Sequence, residues 1–194
     1  IKKALDEHKQ VLYLLPEIAL TVQIMQRLKK VFGNRLGIYH SKYSDAERVE
    51  IWNKVKSGDI KIVLGARSAL FLPYKNLSLI IIDEEHDASY KQQDPAPRYH
   101  SRDTAIYYAS LFKAKVLLGS ATPSIESYYN VEQGKYAVVT LTERFADVAQ
   151  PEIQLIDLKK IPAKERSAKP LSDELLAAID QTLKDKKQVI LFQN

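Results

Sequence analysis

The chain has 194 residues, 45% of them hydrophobic and none of them cysteine. That suffices for one substantial domain and part of a second, argues against disorder, and excludes disulfides and cysteine-ligated zinc within the chain. Net charge is +5, from 29 basic and 24 acidic residues, which is compatible with a polyanionic partner without demanding one.

Ile1 to Glu7 open inside a helical pattern and give no secretory apolar region. Strand-length apolar runs follow at Val11–Leu15, Ile60–Leu64, Leu79–Ile82 and Val116–Leu118. Helical periodicity lies between and after them, at 18–32, 44–57, 101–113 and 124–133. Ser44 followed by Glu47 reads as a capping box, and Ser124 after Pro123 marks another helix start. Continuous Val, Ile and Leu suit parallel strands covered on both faces, and the alternation predicts an α/β fold with a doubly wound parallel sheet. Trp52 is expected in the core, with Tyr107, Tyr108, Tyr128 and Tyr129 as ordinary positions of amphipathic helices.

Near residue 143 the pattern changes, and a boundary is expected at 145–152, dividing the chain into 1–148 and 149–194. Ile153–Leu158 reads as a strand, Lys159–Lys169 with Pro162 as a linker, Glu174–Lys186 as a helix opened by Ser172 and Asp173, and Val189–Phe192 as a last strand. The chain has no initiator Met, Met25 being its single methionine, and ends on that apolar run. It is therefore expected to be an excised segment of a longer protein.

The sharpest chemical feature is Leu79-Ile80-Ile81-Ile82-Asp83-Glu84-Glu85-His86. A buried strand delivers carboxylates at its C-terminal edge, where open α/β sheets place their ligands. In phosphoryl-transfer sites the strand-terminal Asp holds Mg²⁺ and a neighbouring Glu can polarise the attacking water. A second strand ends in Gly119-Ser120-Ala121-Thr122-Pro123, whose hydroxyls can bond a neighbouring carboxylate or a phosphate. Between the two lies a loop with Lys91, Arg98, His100 and Arg102 interleaved with Tyr90 and Tyr99 and joined by the amides Gln92 and Gln93. Aromatics alternating with cations suit a single nucleic-acid strand, by stacking and phosphate contact.

The acidic run and Ser120-Ala121-Thr122 resemble motifs II and III of superfamily 2 helicases of the DEAD/DEAH-like kind. The wording is similar to the bacterial primosomal replication-restart helicases in particular. Leu14-Leu15-Pro16-Glu17-Ile18-Ala19-Leu20-Thr21 resembles their motif Ia, a region that also takes in Gln23. Their motif Ib region is matched by His40-Ser41, Arg48, Trp52, Gly58 and Ile62 to Phe71. The stretches Ser89 to Asp94 and Arg98 to Asp103 match their aromatic-rich loop. The resemblance covers essentially the whole chain.

What it implies is a RecA-like first motor lobe over 1–148 and, over 149–194, a linker and the start of a second lobe. Asp83 becomes the Mg²⁺ ligand, Glu84 the water-activating base, and His86 the link between nucleotide and DNA sites. Ser120, Thr122, Gln92 and Gln93 become coupling residues. Arg67, Ser68, Tyr90, Lys91, Arg98, Tyr99 and Arg102 become DNA contacts. ATP and Mg²⁺ are the implied cofactors, with the family's zinc expected outside this chain. Implied partners are forked DNA with single-stranded and double-stranded junctions, single-strand-binding protein and primosome components, in the bacterial cytoplasm at the nucleoid.

One family motif is missing. None of the six glycines (33, 37, 58, 65, 119, 134) begins or ends G-x-x-x-x-G-K-[ST]. That loop is expected upstream of Ile1, so the chain alone is expected to be inactive. Its strand is expected to leave an open position in the middle of the sheet, which Val189–Phe192 would fill within the chain or from a second copy. Two other readings stand beside the helicase: a DNA-binding module without motor activity, and a metal-dependent hydrolase with Asp83, Glu84 and His86 as ligands.

Overall fold

The aliphatic runs become five parallel strands of one sheet in a computed structural model that describes residues 1–17, 22–40, 43–143, 151–157, 159 and 171–192. The chain starts with α1 (Lys2–Asp6), β1 (Gln10–Leu14), α2 (Val22–Phe32), β2 (Leu36–Tyr39), α3 (Asp45–Ser57) and β3 (Ile62–Gly65). A short 3-10 helix (Arg67–Phe71) leads to β4 (Leu77–Ile82). A second (Ala88–Tyr90) precedes α4 (Ser101–Phe112), β5 (Lys115–Leu118) and α5 (Ile125–Glu132). These lie in a compact unit spanning Ile1–Val139; the remainder, Thr140–Asn194, carries α6 (Asp173–Lys184).

The strand order is β2-β3-β1-β4-β5. Strand alternation sorts the side chains to two faces. Leu12, Leu14, Val63, Ile80 and Ile82 pack with Val55 of α3 and with Ala105 and Ala109 of α4. On the other face Val11, Ile62, Leu79 and Ile81 gather with Leu5 of α1 and Phe32 of α2. Helices thus cover both sides, which is why β1 and β3 read as unbroken hydrophobic runs. The sheet tolerates little bulk at Gly65, where an added Cβ would lie 2.6 Å from the Tyr39 carbonyl oxygen.

Ser44 forms the expected capping box, its Oγ accepting from Glu47 N–H while the Glu47 carboxylate accepts from Ser44 N–H at 2.8 Å. Trp52, in contrast, is 43% exposed and outside the core. Ile51 and Val55 form the buried stripe of α3, and the residue after Ile51 is turned roughly 100° away from it. Strand β2 has no counterpart in the expected elements because it is only four residues long and Gly37 interrupts its apolar pattern.

Several expectations for the end of the chain and the sheet are corrected. Residues 151–157 form no strand, with Ile153 79% and Leu155 91% exposed. Val189–Phe192 is likewise unpaired, with Ile190 93% and Phe192 90% exposed. An apolar run becomes a strand only where a neighbour takes its backbone groups, and among the described residues neither run has one. Among the described residues no position in the middle of the sheet is open, since the five strands pair without interruption in the order β2-β3-β1-β4-β5, with β2 and β5 at the edges. The boundary expected near 145–152, most of the linker, and Ile18–Thr21 and Ser41 of the motif regions fall largely or wholly outside the described residues. Among the described residues no helix is long and apolar enough to cross a membrane.

Buried Gln10 fastens the amino-terminal edge of the sheet. Its Nε2 donates to the carbonyls of Val55 (2.9 Å) and Ile60 (3.2 Å), and its Oε1 accepts from the amides of Lys75 (2.9 Å) and Asn76 (3.2 Å). Replacing it with near-isosteric Leu orphans these backbone groups, so Gln10→Leu is expected to lower unfolding free energy by about 3 kcal/mol, measured by urea denaturation.

Candidate functional site at the carboxyl edge of the sheet

From β1 the chain moves to β2 and β3 on one side and then crosses to β4 and β5 on the other. The carboxyl ends of β1 and β4 therefore meet at a topological switch point, the usual ligand crevice of such sheets. Leu14, Ile82 and Leu118 stand in register there, and Asp83 is the next residue out. Its N–H donates to the Leu14 carbonyl at 3.0 Å. Tyr13 Oη donates to Asp83 Oδ2 at 2.9 Å, and Glu84 N–H donates to Oδ1 at 3.1 Å. Burial, reinforced by Asp83, pushes the Tyr13 phenol up to about 12, so it stays a donor at neutral pH. Gly119 lets β5 come close, because a Cβ there would lie 3.3 Å from Asp83 Oδ1.

Glu84 has an exposed side chain on a backbone with φ of +49°, a left-handed conformation that side chains seldom adopt. Its neighbours hold it there: Glu85 N–H donates to Gly119 O at 3.0 Å, and Asp87 N–H to Glu84 O at 2.8 Å. His86 joins the two expected motifs. Its Nδ1 lies 2.7 Å from Ser120 Oγ and its Nε2 3.4 Å from Thr122 Oγ1, while Thr122 N–H donates to Ser120 Oγ at 2.9 Å. Glu84 Oε2 is 3.7 Å from His86 Nδ1.

Glu85 turns the opposite way and is 2% exposed. It accepts from Arg102 Nη1 (3.0 Å), the Ser124 amide (2.7 Å) and the Ser127 hydroxyl (2.9 Å). Burial alone would raise its pKa, but the bonds from Ser124, Arg102 and Ser127 outweigh it and hold the carboxyl below its ordinary range.

The cationic loop is a defined unit. Lys91 and His100 form an antiparallel bridge, and Gln92 N–H donates to Tyr99 O at 2.9 Å. Inside it Gln92 Nε2 donates to the carbonyls of Pro95 (2.8 Å) and Pro97 (3.0 Å). Arg67 Nη1 donates to Ser89 O (3.2 Å) and Lys91 O (2.9 Å), and the Phe71 and Tyr99 rings meet edge to face at 5.2 Å. Lys91, Gln93, Arg98 and Ser68 are exposed.

Two expected DNA contacts are corrected. Tyr90 is 1% exposed, donating its hydroxyl to Asp83 O at 2.7 Å, and so has no ring face free for a base. Arg102 is 6% exposed and committed to Glu85 and to Asp103, the latter at 2.9 Å, because a carboxylate buried beside it needs the charge. Tyr13 and Glu85 were not among the expected site residues. A phenol within the aliphatic run Val11–Leu15 is the signal for the first; nothing in the sequence distinguishes Glu85 from Glu84. Among the described residues no group of three or more His, Cys, Asp or Glu could share a metal ion, which weighs against one ion held by Asp83, Glu84 and His86.

With this geometry, residues 1–131 match the DEAD/DEAH box helicase family, and the chain belongs to that family. Over nearly its whole length it is similar to proteins called replication restart protein PriA. It is 49% identical over 186 residues to that of Rickettsia felis, covering 96% of this chain and 28% of the relative. Against the Chlamydia trachomatis protein identity is 42% over 194 residues, covering 100% of this chain and 26% of the relative. Against that of Bacillus subtilis it is 39% over 194 residues, covering 100% and 24%. The chain thus spans about a quarter of the length of these relatives.

A depressed carboxyl contributes stability that is full above its ordinary pKa, 4.5, and is lost as pH falls through the folded-state value. Glu85→Gln is therefore expected to be destabilised by about 3 kcal/mol at pH 7. Thermal melts of both proteins should converge as pH drops below 4.5, which checks the sign.

Proposed function

We propose that this chain is the catalytic and DNA-contacting portion of an ATP-dependent DNA helicase of the replication-restart kind, with 1–148 in the first motor lobe and 149–194 beginning the second. The observation that carries the reading is His86 at the sheet's switch point, bonded to Ser120 and Thr122, 3.7 Å from the Glu84 carboxylate and in the same turn as Asp83. A strand-end carboxylate with one oxygen held by a phenol suits Mg²⁺, which is commonly bound by one or two carboxylates, water and substrate phosphates. Bound Mg²⁺-ATP would supply the phosphoryl group and neutralise its charge. Asp83 would hold the ion, directly or through water. The exposed Glu84 carboxylate would take the proton from the attacking water, and His86 would report the state of that site to Ser120 and Thr122.

Lys91, Arg98, Ser68 and Tyr99 form the proposed DNA-facing set, with Arg67 setting the loop through its carbonyl contacts. Gln92 supports the loop from within, and Gln93 lies on its outside. The relatives' name supports restart of replication; forked DNA, single-strand-binding protein and primosome components are the partners that the motif resemblance implies. A zinc-binding segment, implied by the same motif resemblance, would lie outside this chain.

Because the chain lacks a G-x-x-x-x-G-K-[ST] loop, by itself it is expected to turn over no ATP, and the tests use a full-length protein that carries it. Glu84→Gln is expected to lower ATP turnover at least about 100-fold while ATP binding by titration calorimetry is unchanged. Parallel loss of binding would count against a base. Lys91→Ala with Arg98→Ala is expected to weaken single-strand binding and to reduce the slope of log affinity against log salt by about 1.4. An unchanged slope would remove this loop from the DNA surface, while binding without any turnover in the parent would favour a DNA-binding module.

A further inference from the structure

The third carboxylate of the acidic turn has no part in the reading above, yet it is the most fully enclosed of the three. Glu85 gathers donors from two separate places: Arg102 in the first turn of α4, and the amide and hydroxyl of Ser124 with the hydroxyl of Ser127 at the start of α5. Arg102 also donates to the Ser124 hydroxyl and lies 4.0 Å from Glu126. Neutralising a buried carboxylate needs one cation. The further bonds fix where it is.

The positions of these partners along the chain matter. Glu85 and Arg102 stand on either side of segment 86–101, so their ion pair closes the base of the loop that carries Lys91 and Arg98. Through Ser124 the same carboxylate caps the helix that follows Ser120 and Thr122. On its other side it adjoins Glu84, whose left-handed backbone persists only if its surroundings over-determine it. A displacement of the loop's exit thus meets the turn of Glu84 through one ion pair.

We propose that Glu85 is a positioning residue: clamped by Arg102, Ser124 and Ser127, it holds the Glu84 turn and passes movement of segment 86–101 to it. The proposal rests on the helicase reading. Coupling of this kind needs a coupling measurement, since adjacency alone does not establish it.

The experiment measures ATP turnover of the full-length protein with and without forked DNA, for the parent, Glu85→Gln, Arg102→Gln, the double variant and Arg102→Lys. Each single Gln variant is expected to lose about tenfold in the ratio of stimulated to unstimulated turnover, with KM for ATP held within about twofold. In the double variant the loss should not deepen, because both changes open the same clamp. Arg102→Lys, which returns a cation to Glu85, should recover part of the ratio. A ratio within about twofold of the parent in both folded single variants, or losses that multiply in the double, overturns the proposal. If Glu85→Gln does not fold, Ser127→Ala removes one donor while keeping the ion pair; a lowered ratio supports the clamp and an unchanged one sinks it. A parent without any DNA-stimulated turnover sinks the helicase reading and this proposal together, and is distinguished by needing no variant.

Discussion

The pairing of β4 with both β1 and β5 is the constraint on which the rest of the site depends. It sets Leu14, Ile82 and Leu118 level with one another, so the residues that follow them emerge together. The continuing backbone bonds extend the pairing past the strand ends: Asp83 N–H reaches Leu14 O, Gly119 N–H reaches Ile82 O, and Glu85 N–H reaches Gly119 O. A slip of β4 by one residue against both neighbours would turn its side chains to the opposite faces and break all three. The Asp83 carboxylate owes its placement to this frame, and the aliphatic side chains of β1 and β4 hold the frame by burial.

Three adjacent acidic residues then diverge in role through their surroundings alone. Asp83 keeps a carboxylate at the crevice, bonded by Tyr13, while its carbonyl is held by Tyr90. Glu84 points to solvent from a left-handed turn, and Glu85 is buried among cationic and hydroxyl donors. The two tyrosines do related work, one at the side chain of Asp83 and one at its carbonyl. Both phenols are donors to Asp83, and desolvation raises both further above the ordinary tyrosine value.

The parallel α/β sheet and the acidic turn were legible because strand runs, caps and motif order are local signals. Ser44 with Glu47 and the strand leading to Asp83 needed no knowledge of distant residues. Arg102 and Tyr90 were misread for the opposite reason. Both sit in a stretch whose composition resembles a nucleic-acid surface, and only the fold brings Glu85 and Asp83 against them. Trp52 failed through phase: a helix rotates adjacent residues by roughly 100°, so one position separates core from solvent. The apolar runs at 153–157 and 189–192 show that hydrophobicity without a partner strand does not make a strand. Membership in the DEAD/DEAH box helicase family agrees with the motif reading, whereas the individual roles within the site depend on side-chain geometry that no motif contains.

The edge position of β5 carries a mechanical consequence. Among the described residues it is paired on one side only, through four residues to β4, and Leu117 remains 56% exposed. Gly119, Ser120 and Thr122 therefore follow a strand that is anchored by pairing on one side and by the packing of Val116 and Leu118 on the core. The side-chain contacts that hold the residues beyond it are polar: His86 with the two hydroxyls, and Glu85 with the cap of α5. Polar contacts of this kind can be exchanged without opening the aliphatic core, so this corner can change its geometry while the sheet behind it stays assembled.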